Sequence, residues 1–79
     1  MNISYCKQAA KALERLDSLT KQRIRKAINK LPDGDVKRLK GYTNLYRLRI
    51  GSWRVLFTMI ANAIVVEDVL PRGDAYKEV

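Results

Sequence analysis

Residues 46–55 read YRLRIGSWRV, and their alternation decides the fold. Tyr46, Leu48 and Ile50 alternate with Arg47 and Arg49, the period of two that puts successive side chains on opposite faces of a strand. Gly51-Ser52 follows, a two-residue hairpin turn with glycine first. The next run, WRVLFTMI (53–60), offers two faces. Trp53, Val55, Phe57 and Met59 carry no charge, whereas the other set would bury the Arg54 guanidinium. The uncharged set is therefore assigned to the core. Arg54 then joins Arg47 and Arg49 on the opposite face, which becomes cationic. An arginine keeps its charge, and its planar fork matches phosphate oxygens bidentately.

Outward from this hairpin the chain is easily divided. ANA (61–63) is a turn and IVVEDVL (64–70) a third strand, so the three runs read as an antiparallel meander. Glu67 and Asp68 sit among its apolar residues. Strict alternation would send one of the two carboxylates into the core. Pro71 to Asp74 end the sheet, and AYKEV (75–79) is read as a single terminal helical turn.

Upstream, Ala9, Ala12, Leu13 and Leu16 fall at three- and four-residue spacings, which predicts a helix from Lys7. Asp17-Ser18 gives a break or a new cap. Ile24, Ala27, Ile28 and Leu31 predict a second helix from about Thr20 to Leu31, stopped by Pro32. PDGD (32–35) is a turn, and NISY (2–5) a short strand. The expected fold is α+β in the order β-α-α-β-β-β. A helical hairpin covers one face of a small twisted, antiparallel-rich sheet, in a single domain over residues 1–79.

The charge is large and uneven. Sixteen Lys and Arg against eight Asp and Glu give +8. Residues 1–31 hold eight basic and two acidic groups, residues 32–56 six and two, and residues 57–79 two and four. A basic body of this kind suits a polyanion, either nucleic acid or an acidic protein. With Cys6 alone and no His, neither an internal disulfide nor a zinc site is expected. No metal or cofactor is expected. Apolar runs are too short for a signal peptide or a membrane span, so a cytoplasmic protein with no membrane partner is expected.

LYRLRIGSWRVLF (45–57), the preceding GDVKRLKGYTN (34–44), and VLPRGDAYK (69–77) together resemble the RelE/ParE superfamily of toxin–antitoxin toxins. The resemblance covers most of the chain. It implies a ribosome-dependent endoribonuclease that cleaves mRNA in the ribosomal A site. By position, Arg47 and Arg49 match the family's substrate-binding basic pair and Arg54 its phosphate-binding arginine. Arg72 and Tyr76 match the arginine and tyrosine that follow the last strand. In-line attack of a 2′-OH then needs charge stabilisation, which preorganised arginines supply, and proton handling. Tyr76 serves as general base if guanidinium groups pull its phenol below its ordinary value of about 10. Arg72 is assigned chiefly to charge stabilisation. The resemblance also implies a cognate acidic antitoxin, and contact of the 70S ribosome's RNA with Arg23, Lys26 and Lys30.

Two other readings share the fold, which cannot decide among them. One is a ParE-type toxin acting on DNA gyrase. The other is a nucleic-acid-binding module without catalysis. Residue by residue, plainer roles stand as well. Arg47 and Arg49 serve equally as a solvated sheet face, and Arg72 as an exposed turn residue. Trp53 and Tyr76 serve as packing aromatics, and the cations of 21–30 as a solvated helix face.

Overall fold

A computed structural model of the chain describes residues 2–71. The order is β1 (Asn2–Tyr5), α1 (Lys7–Glu14), α2 (Ser18–Asn29), β2 (Asp35–Arg38), β3 (Leu45–Ile50), β4 (Trp53–Ile60) and β5 (Ala63–Pro71). The strands form one sheet in the order β1-β5-β4-β3-β2. Pairs from β2 to β5 are antiparallel, and β1 lies parallel to β5. The helices carry the chain from one sheet edge to the other, and their apolar stripes share a core with one sheet face.

The α+β expectation holds, with one strand added. No strand is expected over 35–38 because DVKR has no apolar alternation; only Val36 is half-buried and its neighbours are exposed. Its strand character comes from pairing with β3, Val36 lying opposite Leu48. The expected helical turn over 75–79 lies outside the described residues.

Helix α2 begins two residues earlier than its apolar spacing predicts, because Asp17 caps it. The Asp17 carboxylate accepts a hydrogen bond from the Thr20 backbone N–H at 3.1 Å. Hydrogen bonds from Thr20, side chain first and then backbone, hold this carboxyl below its ordinary value. A carboxyl lowered in the folded state stabilises above its unfolded value, and that contribution is lost as pH falls through the lowered one. Asp17→Ala should therefore depress the melting temperature at neutral pH, with the deficit shrinking as the solution is acidified. Asp17→Asn keeps an uncharged cap and should flatten that dependence. Thermal melts across the acid range decide the matter: a deficit that does not change with pH would remove the carboxylate from the cap.

Two-residue turns join the last three strands. Gly51 takes φ 57° between the paired Ile50 and Trp53, the positive first angle that a type II′ turn demands. Ala61 opens the next turn, between the paired Ile60 and Ala63, at φ 53°. That region costs an L-residue about 1–2 kcal/mol, whereas glycine adds about 0.4–1 kcal/mol of unfolded-chain entropy. Ala61→Gly should thus stabilise the domain by about 0.5–1 kcal/mol. The urea midpoint should rise with an unchanged slope; a lower midpoint would show the turn is unstrained.

The β4 face assignment is upheld. Val55 and Phe57 are fully buried with Leu48, Ile64 and Val66, while Trp53 and Met59 are half-buried against the core. Tyr46 stacks on Phe57 at 5.5 Å between ring centres. Ala9, Leu13, Ile24 and Ile28 close the core from the helices. The carboxylate conflict in β5 is resolved by a bulge. Leu56 faces Asp68 but Phe57 faces Val66, so Glu67 is an extra residue. Val66 and Val69 both reach the core, and neither carboxylate is buried there.

Candidate functional site

The sheet face away from the helices gathers the cations. Residues directly opposite on paired strands share a face. Arg49 stands opposite Arg54, and Arg47 opposite Leu56. On the other side, Lys37 stands opposite Arg47 and Asp35 opposite Arg49. Three of the arginines read from the sequence, Arg47, Arg49 and Arg54, are thus brought together. Lys37 and Asp35 are the residues that sequence reasoning missed. The missing signal was β2 itself; once DVKR is a strand, Lys37 must face one way or the other.

The three arginines differ in environment. The Arg47 side chain is only 12% exposed, and its Nη1 donates to the Asp35 carbonyl at 3.1 Å and approaches Asp35 Oδ1 at 3.5 Å. It is the one ion-paired cation among the described residues. Arg49 is exposed. Arg54 is half-buried between Arg49 and Leu70, its two cross-strand neighbours. Its Nη1 is buried and finds no hydrogen-bond partner among the described residues. Such a donor costs about 1–3 kcal/mol, and a like charge directly opposite adds to that cost. Arg54 is therefore held where the fold alone gains little from it, and an anion on this face would relieve both penalties.

Glu67 and Asp68 do not neutralise these arginines. Thr58 Oγ1 donates to Glu67 Oε2 at 3.1 Å. Gln8 Nε2 donates to Asp68 Oδ2 at 2.7 Å, and the Val69 N–H to Asp68 Oδ1 at 2.8 Å. Neutral donors satisfy both groups, and apart from Arg47, which Asp35 pairs, the cations of β2, β3 and β4 stay available for an outside anion.

Arg23, Lys26 and Lys30 are exposed on α2. With Asp33, Asp35 and Arg49 they line a concavity of about 310 Å³ between that helix and the sheet. Arg23 lies against the hairpin tip: a Cβ placed on Gly51 would meet its Nη2 at 3.2 Å. The helix cations thus approach the turn that joins the strands carrying Arg49 and Arg54. Arg72 and Tyr76 lie outside the described residues. No helix among the described residues is long and apolar enough to cross a membrane.

A helix-backed sheet with one cationic face defines a small α+β domain whose basic surface suits an anionic partner. Over residues 3–76 the chain matches the family described as ParE toxin of type II toxin-antitoxin system, parDE, and it belongs to that family, within the RelE/ParE superfamily that the sequence resembles. It is thus a toxin of a type II toxin–antitoxin system. Several similar proteins are RelE toxins. Toxin RelE3 of Methanocaldococcus jannaschii is 27% identical, over 96% of each chain. The RelE of the RelB–RelE antitoxin–toxin complex from Methanococcus jannaschii superposes with a TM-score of 0.77 at 26% identity, over 92% of this chain and 94% of that one. The RelE–RelB complex from Pyrococcus horikoshii gives 0.73 at 29% identity, over 94% and 97%.

Proposed function

We propose that this toxin is a ribosome-dependent endoribonuclease that cleaves mRNA in the ribosomal A site and so stops translation. The observation that carries the reading is the Arg54 guanidinium, half-buried beside Arg49 and Arg47 with a donor left unpartnered among the described residues. A phosphate oxygen is the kind of acceptor that donor lacks, met once the guanidinium turns outward from its buried position. In this reading Arg47 and Arg49 bind the flanking backbone, and Lys37 adds a further cation. Arg54 stabilises the charge that grows on the scissile phosphate as the 2′-OH attacks. Arg72 adds charge stabilisation, and Tyr76 takes the 2′-OH proton. As the bond from the 2′-oxygen to phosphorus forms, the bond to the 5′-oxygen breaks, which leaves a 2′,3′-cyclic phosphate, and water protonates the departing 5′-oxygen. No metal or cofactor enters the reaction. The α2 cations Arg23, Lys26 and Lys30 rest on ribosomal RNA.

The antitoxin follows by the same kind of argument. The similar archaeal RelE chains were solved with RelB antitoxins. A cognate antitoxin with an acidic, partly disordered segment would satisfy this toxin's basic surface and fold upon it. The family's description favours a second reading, inhibition of DNA gyrase without nuclease chemistry. Mapping 5′ ends on mRNA in translating ribosomes separates the two. New ends within A-site codons support the nuclease; intact message with inhibited supercoiling supports the gyrase target.

A further inference from the structure

The turn between β2 and β3 carries a second concavity that the catalytic reading does not use. It encloses about 270 Å³ and is lined by Arg38, Leu39, Lys40, Gly41 and Tyr42. Tyr42 is 50% exposed, one of three large apolar side chains left so open among the described residues. The turn is nevertheless anchored at its base. Leu39 is buried, its N–H donates to the Leu45 carbonyl at 3.0 Å, and the Met59 N–H donates to the Asn44 carbonyl at 3.1 Å. Arg38 Nη2 donates to the Thr43 carbonyl at 3.0 Å, which fixes the guanidinium across the turn. Gly41 takes φ 83°, the left-handed region that favours glycine, which lets the chain turn just before Tyr42.

An exposed aromatic ring beside two cations on an anchored turn is the arrangement that single-stranded nucleic acid recognises: a base stacks on the ring and its phosphate meets the charges. An acidic peptide would use the cations but leave the ring idle. We infer that the 38–43 turn, at the edge strand β2, with Tyr42 as stacking platform and Arg38 and Lys40 as phosphate contacts, binds one nucleotide of a single-stranded RNA that passes from this edge onto the cationic sheet face. The inference rests on the proposed action on RNA and adds a place where a base, not only a backbone, is read. At roughly 3.4 Å per residue, Leu45, where the turn enters β3, lies roughly 14 Å along the strand from Arg49. A few nucleotides of single strand cover that distance, so the stacked base lies a few positions along the strand from the phosphate at Arg54.

The test is binding of short single-stranded RNA oligonucleotides to the purified full chain by fluorescence anisotropy, with melting temperatures taken alongside. Tyr42→Ala should weaken binding about 5- to 150-fold, the range for loss of one stacked base. Tyr42→Trp should retain it. An oligonucleotide with one abasic position should bind the wild type less tightly at one register, and Tyr42→Ala should be indifferent to that change. Lys40→Ala should lower the salt slope by about 0.7. Equal binding by the wild type and Tyr42→Ala would overturn this inference while leaving the action on RNA intact. Loss of affinity for an acidic peptide but not for RNA in Tyr42→Ala would overturn it in favour of a protein partner. A wild type that binds no free RNA would overturn this inference, whereas the proposed function stands or falls on the 5′ ends mapped in translating ribosomes.

Discussion

Arg54→Met is expected to cut ribosome-bound mRNA about 10²- to 10³-fold more slowly than the wild type while being at least as stable. The rate loss is the scale for deleting one preorganised donor to developing negative charge. The stability result comes from the opposite side of the same geometry. In the free protein the guanidinium faces Arg49 across the strands, and its buried Nη1 has no partner among the described residues. Methionine keeps an apolar stem between Arg49 and Leu70 and removes both the like-charge contact and the unpartnered donor. A gain of about 1 kcal/mol is expected in urea unfolding, the lower end of the cost of an unsatisfied buried donor. Activity lost together with stability would make Arg54 a structural residue. Activity retained in a folded variant would remove it from the site.

Wild-type protein is also expected to cleave message held in the A site faster than the same RNA in solution, by several orders of magnitude. Free RNA seldom places a 2′-OH in line with the leaving oxygen. Holding reacting groups in attack geometry supplies roughly 7–11 kcal/mol of a barrier in favourable cases. One face of a domain whose longest dimension is 32 Å has little surface with which to impose that geometry unaided. In the proposed mechanism the ribosome supplies it by pinning the message, and the α2 cations supply the docking. Charge reversal at Arg23, Lys26 and Lys30 should weaken ribosome binding and A-site cleavage while leaving the slow cutting of naked RNA unchanged. Equal rates on naked and ribosome-bound message would sink the idea and indicate a self-sufficient nuclease.

Much of the molecule was legible before any coordinates. Wherever one face of an element is buried, its apolar residues must recur at the period of that element, and the period is visible in the chain. That is why Leu48 and Ile50, Val55 and Phe57, and the α2 stripe of Ile24 and Ile28 could be placed on the core side. It also put Arg47, Arg49 and Arg54 together on the other face: sending a guanidinium inward is too costly when an uncharged set is available.

The rest depended on partners distant in the chain. β2 has almost no apolar signature, since an edge strand with one inward residue needs none; its pairing with β3 made it a strand and delivered Lys37 and Asp35 to the cationic face. The β5 bulge is equally invisible to a rule of strict alternation. It exists because Val66 and Val69 both fit opposite the core residues of β4, and it left Glu67 and Asp68 to neutral donors. The sequence by itself determined which side chains must leave water, and thereby the sheet, the helices and the sign of the open face. Only the tertiary structure decided which charges stand opposite one another. Cross-strand register joins residues far apart in the chain, and a period read along one strand carries no information about its neighbour.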